Sequence, residues 1–312
     1  MSEYQSWGKR KGWEDVEPTR QDDGVDSCVV SIPYSAEFED TMNYMRTMMK
    51  RDEHSLRALE ITREAIELCP GNYTLWCYRR SILSSLSDSA LFLEEFSLTE
   101  AFIEDHPKCY QVWSYRQWLV EATDDLSREV KLCDAAIESD SKNYHAWSYR
   151  QWLVTRLRIW REELEYLDEM LRRDHWNNSV WNMRYFVVKH LGPAADFVER
   201  EIDISVQYIQ KDVDNESPWN YLNAMVRESD SEGAEKRFVE FCQQCIAAHL
   251  RSVHPRAALV RAYLCFARSG VRAGLEEARA AEVCLELSEL DPIRRKYWLF
   301  CHRKIKSDSR SL

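Results

Sequence analysis

The stretch Asn143-Tyr144-His145-Ala146-Trp147-Ser148-Tyr149-Arg150 recurs in related form along the chain. The related stretches are Asn72-Tyr73-Thr74-Leu75-Trp76-Cys77-Tyr78-Arg79, Cys109-Tyr110-Gln111-Val112-Trp113-Ser114-Tyr115-Arg116, Asn177-Asn178-Ser179-Val180-Trp181-Asn182-Met183-Arg184 and Asn215-Glu216-Ser217-Pro218-Trp219-Asn220-Tyr221-Leu222. Their tryptophans lie 37, 34, 34 and 38 residues apart. This period is typical of one helical hairpin per repeat and predicts a stacked α-solenoid.

Turn signals divide each repeat into two helices. Leu56 to Leu68 carries an apolar stripe at helical spacing, and Pro70-Gly71 ends it before the Trp76 helix. Pro292 precedes Trp298 by six residues, as Pro70 precedes Trp76, which predicts a degenerate last copy and one copy without tryptophan before it. The predicted fold is therefore all-α, an α-α superhelix of hairpins.

Three segments are predicted from these signals. Residues 1–35 are turn-rich and charged, which indicates an irregular N-terminal arm. Residues 36–306 form the helical-hairpin solenoid, and residues 307–312 form a polar C-terminal tail.

Composition excludes several classes of protein. The 312 residues are 45% apolar and 30% charged, which suits a chain with a large core. The chain shows neither a signal-peptide pattern nor a long apolar stretch, so we expect a cytoplasmic protein without stable membrane insertion. A net charge of −11 disfavours nucleic acid as a partner, and the ten scattered cysteines are expected to be reduced.

Positions that stay the same between repeats are interpreted as packing positions, and those that vary as candidates for a local task. The tryptophans, and the arginines three residues after them, belong to the first kind. Variable positions in the turn and first helical turn should line one edge of the solenoid, near positive helix ends. This edge is predicted to bind phosphate or carboxylate, although a hydrogen-bonded set of helix starts would explain the same residues: Lys108, Tyr110, Gln111, Asn143, Tyr144 and His145.

Metal binding and self-contained catalysis are not indicated. Cys242 and Cys245, with His249 nearby, have the spacing of an ordinary helix face, and no second cysteine pair follows. Motifs such as a phosphate-binding loop or a nucleophile elbow do not occur in the sequence. We therefore expect no metal site in this chain.

The tryptophan repeats resemble the α subunit shared by protein farnesyltransferase and geranylgeranyltransferase type I. Trp13-Glu14-Asp15-Val16 and Pro33-Tyr34-Ser35 extend the resemblance into the arm. It implies a heterodimer with a β subunit that supplies the catalytic Zn²⁺ and most of the isoprenoid pocket. It further implies transfer of a farnesyl or geranylgeranyl group from its diphosphate to the cysteine of a C-terminal CaaX motif. Mg²⁺ bound with the diphosphate is compatible with this reaction.

The resemblance also assigns roles to residues of the edge. It implies that Lys108 contacts the diphosphate and that Tyr144 and His145 support catalysis. Gln111 would bind the CaaX carboxylate, and Tyr110 and Asn143 join it as substrate-binding residues. Cys109 departs from the family, which more often has asparagine at this position.

Two other functions remain open at this point. The Rab geranylgeranyltransferase α subunit has similar repeats, but it usually carries further domains such as leucine-rich repeats. A non-enzymatic scaffold of the tetratricopeptide kind shares the period of about 34 residues. Such a scaffold would be monomeric and would bind peptides on its concave face.

Overall fold

A computed structural model describes residues 4–22, 32–192, 195–229, 231–269 and 273–308. In these residues the chain forms a short 3-10 helix and fifteen α-helices, and no β-strand. The helices are α1 (Ala36–Lys50), α2 (Leu56–Leu68), α3 (Tyr73–Leu86), α4 (Ser89–Asp105), α5 (Tyr110–Thr123), α6 (Glu129–Ser139), α7 (Tyr144–Leu157), α8 (Trp160–Arg173), α9 (Asn178–Leu191), α10 (Ala195–Lys211), α11 (Glu216–Ser229), α12 (Glu232–Ala248), α13 (His254–Ser269), α14 (Ala273–Leu290) and α15 (Arg295–Asp308).

The chain divides into two compact units, residues 1–153 and 154–312. Helices α2 and α3, and then α4 and α5, pack as hairpins in the first unit, and α8 to α15 pair in the same way in the second. Helix α13 is the copy without tryptophan, and α15 carries Trp298, as the sequence predicts. Helix α15 extends to Asp308, and the end of the proposed tail, residues 309–312, lies outside the described residues.

Each repeat tryptophan fastens its helix to the turn before it. The indole Nε1–H donates to the carbonyl oxygen of the residue six positions earlier, at 2.8 to 2.9 Å, in all five copies: Trp76 to Pro70, Trp113 to Pro107, Trp147 to Ser141, Trp181 to His175 and Trp219 to Val213. The rings are buried, so this bond satisfies the one polar atom of each side chain. The tryptophan is therefore a packing residue, as expected.

The repeat arginines form buried ion pairs between hairpins. Arg116 on α5 donates to both carboxylate oxygens of Glu129 on α6, at 2.7 to 3.2 Å, and both side chains are fully buried. Tyr149, on the partner helix α7, donates its hydroxyl to the same carboxylate at 2.6 Å. Arg79 with Glu95, and Arg184 with Glu201, repeat this arrangement.

Residues 4–22 of the N-terminal arm pack on the first helices. Trp7 is fully buried and donates its indole N–H to Thr41 on α1 at 3.0 Å. Arg10 forms a two-bond ion pair with Glu64 on α2, at 2.6 and 2.9 Å. These residues of the arm therefore cover α1 and α2.

Candidate functional site

The six residues predicted from the sequence lie at two neighbouring helix starts of the first unit. Lys108, Tyr110 and Gln111 stand at the start of α5, and the other three stand at the start of α7. Asn143 Nδ2 donates to the carbonyl of Pro107 at 2.9 Å. Lys108 Nζ lies 3.4 Å from a carboxylate oxygen of Asp140. The structure therefore brings the two sets of residues to one edge.

Three of the six side chains are exposed along this edge. The Lys108 side chain is 78% exposed, and its ion pair with Asp140 is long and half-exposed, so the ammonium can turn toward an anion. Tyr110 and Tyr144 are 52% and 76% exposed, which is high for aromatic residues. The ring of His145 lies 5.6 Å from that of Tyr144 and is half-buried. These residues can meet a ligand without rearrangement of the helices.

Asn143 is buried and is used within the chain. Its Oδ1 accepts the backbone N–H groups of His145 at 2.9 Å and Ala146 at 3.3 Å, so it caps α7. Its Nδ2 bond to Pro107 links this helix start to the preceding one. These bonds give Asn143 a structural task in addition to the predicted one.

Gln111 is buried as well, with 9% of its surface exposed. Its Nε2 donates to the carbonyl of Gly71 in the turn between α2 and α3 at 2.6 Å, and its Oε1 lies 3.2 Å from Cys109 Sγ. The second hydrogen of the amide remains for a further acceptor. A direct contact with a substrate carboxylate would therefore use that hydrogen or exchange the bond to Gly71.

The start of α5 has no side-chain cap. Asn72, Asn143, Asn177 and Asn215 cap α3, α7, α9 and α11 by accepting the N–H two residues later. Cys109 occupies the same place before α5 and makes no such bond. The first backbone N–H groups of α5 and its positive dipole end therefore lie next to Lys108 without a side-chain acceptor from the cap residue.

The structure adds Tyr73 to this edge. It begins α3, three residues before Trp76, and is 53% exposed, like its counterparts Tyr110 and Tyr144. A hydrogen bond to the Cys77 side chain raises the pKa of Tyr73. Tyr73 could have been identified from its position in the repeat, because each of the three tyrosines directly follows the residue at the helix cap.

Cys242 and Cys245 lie one helical turn apart on α12. Burial raises the pKa of both thiols, to about 11 for Cys245, so neither is a ready thiolate. Within the described ranges, no three histidine, cysteine or acidic side chains are grouped so that they could hold a metal ion. In the same ranges no helix is long and apolar enough to span a membrane.

Comparison with known proteins places the repeats in a family. A model of the protein prenyltransferase alpha subunit repeat matches residues 55–86, 92–123, 126–157 and 160–191, which correspond to the hairpins from α2 to α9. The chain is 34% identical to a Dictyostelium discoideum protein farnesyltransferase/geranylgeranyltransferase type-1 subunit alpha, over 97% of this chain and 95% of that protein.

Two further matches bear on the class. A Candida albicans protein geranylgeranyltransferase-I complexed with GGPP contains a chain of similar structure, with a TM-score of 0.82 and 28% identity. The match covers 95% of this chain and 99% of that one, which confirms the predicted superhelix. A Saccharomyces cerevisiae geranylgeranyl transferase type-2 subunit alpha is 33% identical over 76 residues, 23% of each chain.

Proposed function

Since this chain belongs to the family of protein farnesyltransferase/geranylgeranyltransferase type I α subunits, we propose that it works with a β subunit to prenylate the cysteine of a CaaX sequence. The observation that carries the proposal for the site is the exposed edge of the first unit, where Lys108 and Tyr144 lie beside the uncapped start of α5. The cytoplasm is the compartment predicted for this activity.

The reaction sets the task of this edge. The sulfur of the substrate cysteine bonds to the first carbon of the isoprenoid as the bond from that carbon to the diphosphate oxygen breaks. The diphosphate keeps the electron pair, so negative charge grows on its oxygens in the transition state. Lys108 would stabilise this charge, with Tyr144 and His145 as further hydrogen-bond donors.

The metals are assigned outside this chain. Zn²⁺ on the β subunit would hold the substrate cysteine as a thiolate, and Mg²⁺ would accompany the diphosphate. This chain would then contribute binding and charge stabilisation, and we propose none of its residues as a metal ligand. Activity is therefore expected only in the heterodimer.

The alternatives are less well supported. The match to a type-2 α subunit covers about a quarter of that protein, whereas the match to a type I relative covers nearly its whole length. This difference favours the type I class. A tetratricopeptide-like scaffold would not explain this relationship.

The division of the chain into an arm at residues 1–35, a solenoid at residues 36–306 and a short tail stays a proposal.

Co-expression with a β subunit tests the proposal. We expect a 1:1 complex on gel filtration that transfers radiolabelled isoprenoid to a CaaX peptide and loses this activity on zinc chelation. The same peptide with serine in place of cysteine is the control for specific transfer. If the chain associates with neither a farnesyltransferase nor a geranylgeranyltransferase type I β subunit, the proposal is wrong.

Gln111→Met is expected to raise the KM for the peptide up to about tenfold with little change in kcat, because one hydrogen bond to a carboxylate is lost. Methionine keeps the length of the side chain but has no N–H donor. The measurement is steady-state transfer by the heterodimer, using peptides that end in a carboxylate or a carboxamide.

The increase should be confined to the carboxylate peptide. Gln243→Met, on an exposed position of α12, is the control and should leave both KM values unchanged. An unchanged KM in Gln111→Met would remove Gln111 from peptide binding.

A further inference from the structure

The cap asparagines before α7 and α11 show what this position normally does. Asn143 and Asn215 each accept a backbone N–H from their own helix and donate Nδ2 to the turn of the preceding repeat, Asn143 to Pro107 at 2.9 Å and Asn215 to His175 at 2.8 Å. One amide therefore caps a helix and fastens it to its neighbour. A thiol has one weak donor and cannot make both bonds well.

At the start of α5, where Cys109 replaces the asparagine, the cap bond and the bond to the preceding turn are not both made by one side chain. Its thiol makes no cap bond to α5. The thiol lies 3.3 Å from the carbonyl of Pro70, the counterpart of Pro107 and His175, and Gln111 adds a stronger bond to the same turn, since its Nε2 donates to Gly71 at 2.6 Å. Gln111, the side chain predicted to bind the peptide, is therefore also a link between two repeats of the first unit.

The thiol lies between two possible acceptors. Cys109 Sγ is 3.3 Å from the carbonyl of Pro70 and 3.2 Å from Gln111 Oε1. A carbonyl can accept two donors, as that of Pro107 does from Trp113 and Asn143, so Pro70 stays open to the thiol. Pro70 already accepts the indole N–H of Trp76 at 2.8 Å, however, whereas within the described residues the thiol is the one hydrogen-bond donor to Gln111 Oε1. The single proton of the thiol therefore contributes most when it is donated to Gln111 Oε1.

We propose that Cys109 is a positioning residue that fixes the orientation of the Gln111 amide and thereby sets the affinity for the peptide carboxylate. The inference rests on the proposed role of Gln111. With its Oε1 held by the thiol and its Nε2 directed to Gly71, the amide offers its remaining N–H to an anion. A reversed amide would present an oxygen and repel the carboxylate.

Two substitutions of Cys109 separate this role from simple packing. Cys109→Ala removes the donor, and Cys109→Ser retains a donor of similar size. In the heterodimer we expect Cys109→Ala to raise the KM of the carboxylate peptide about three- to tenfold, the effect of one hydrogen bond, without changing kcat. Cys109→Ser should restore most of the affinity. The carboxamide peptide should respond to neither substitution.

A double-mutant cycle tests whether Cys109 acts through Gln111. In the Gln111→Met background, Cys109→Ala should have no further effect on KM, because the group that it orients is absent. Cys245→Ala, at another half-buried cysteine, is the control and should behave as the wild type. Equal changes for both peptides, or additive changes in the cycle, would contradict the inference.

The outcomes also separate this inference from the proposed function. If Gln111→Met raises the peptide KM but Cys109→Ala does not, the role of Cys109 is wrong and that of Gln111 stands. If Gln111→Met leaves the KM unchanged, both are wrong. Thermal unfolding of the variants shows whether any change in KM comes from loss of folded protein.

Discussion

Lys108→Ala is expected to lower the kcat of the heterodimer by about 10², which corresponds to about 3 kcal/mol of transition-state stabilisation. The Lys108 side chain is 78% exposed, and Asp140 holds it only by a contact of 3.4 Å, so little folding energy depends on it. The charge that it would stabilise develops on the diphosphate only as the bond to carbon breaks. The KM for either substrate should therefore change little.

Single-turnover transfer of a labelled isoprenoid measures this step directly. Lys131→Ala is the matched control, because Lys131 is an exposed lysine of the same unit, on α6 and away from the edge. It should retain full activity. A Lys108→Ala enzyme with normal kcat and raised KM would show that Lys108 binds the substrate in its ground state and does not act on the transition state.

Arg116→Ala is expected to destabilise the protein by about 3 to 5 kcal/mol, because it leaves the buried carboxylate of Glu129 without its cation. Arg116 also donates to the carbonyl of Phe96 at 2.6 Å and to the hydroxyl of Thr99 at 2.8 Å, and these acceptors would lose their donor too. Urea unfolding of the purified heterodimer, followed by circular dichroism, measures the change in free energy.

Two further variants identify the cause. Arg172→Ala removes an exposed arginine that pairs with Glu169 and should leave the unfolding midpoint unchanged. Arg116→Met combined with Glu129→Leu removes both charges and should be more stable than Arg116→Ala alone. If Arg116→Ala unfolds at the same urea concentration as Arg172→Ala, the ion pair contributes little to stability.

The tryptophan period predicted the hairpins, including the copy without tryptophan in α13. The acidic partners of the repeat arginines could also have been predicted from the sequence, but they were missed. Glu95, Glu129, Glu163 and Glu201 each lie eighteen residues before a repeat tryptophan, and all four are buried. This second constant position belongs to the first helix of each hairpin, outside the tryptophan helix on which the repeats were aligned.

Other features could not be predicted because they depend on contacts between distant residues. The pattern of the arm indicated irregular structure, but it could not show that Trp7 would be buried against Thr41. At the site, the turn position of Lys108 indicated an exposed side chain. The bond from Gln111 to Gly71 spans forty residues and joins two different turns, so no local rule predicts it.

The order of the ion pairs along the chain has a consequence for biosynthesis. In the three fully buried pairs described above the arginine precedes its acid, by 16 residues for Arg79 and Glu95, 13 for Arg116 and Glu129, and 17 for Arg184 and Glu201. As the polypeptide leaves the ribosome, each of these arginines emerges before its buried counterion, and Arg116 and Arg184 then have only the partly exposed carboxylates of Glu100 and Asp168 on the preceding helix. The next helix to emerge supplies the buried acid, so hairpins joined by these pairs would lock one after another from the N-terminal side. A chain that ends after α5 would leave Arg116 with the partly exposed Glu100 in place of the buried Glu129.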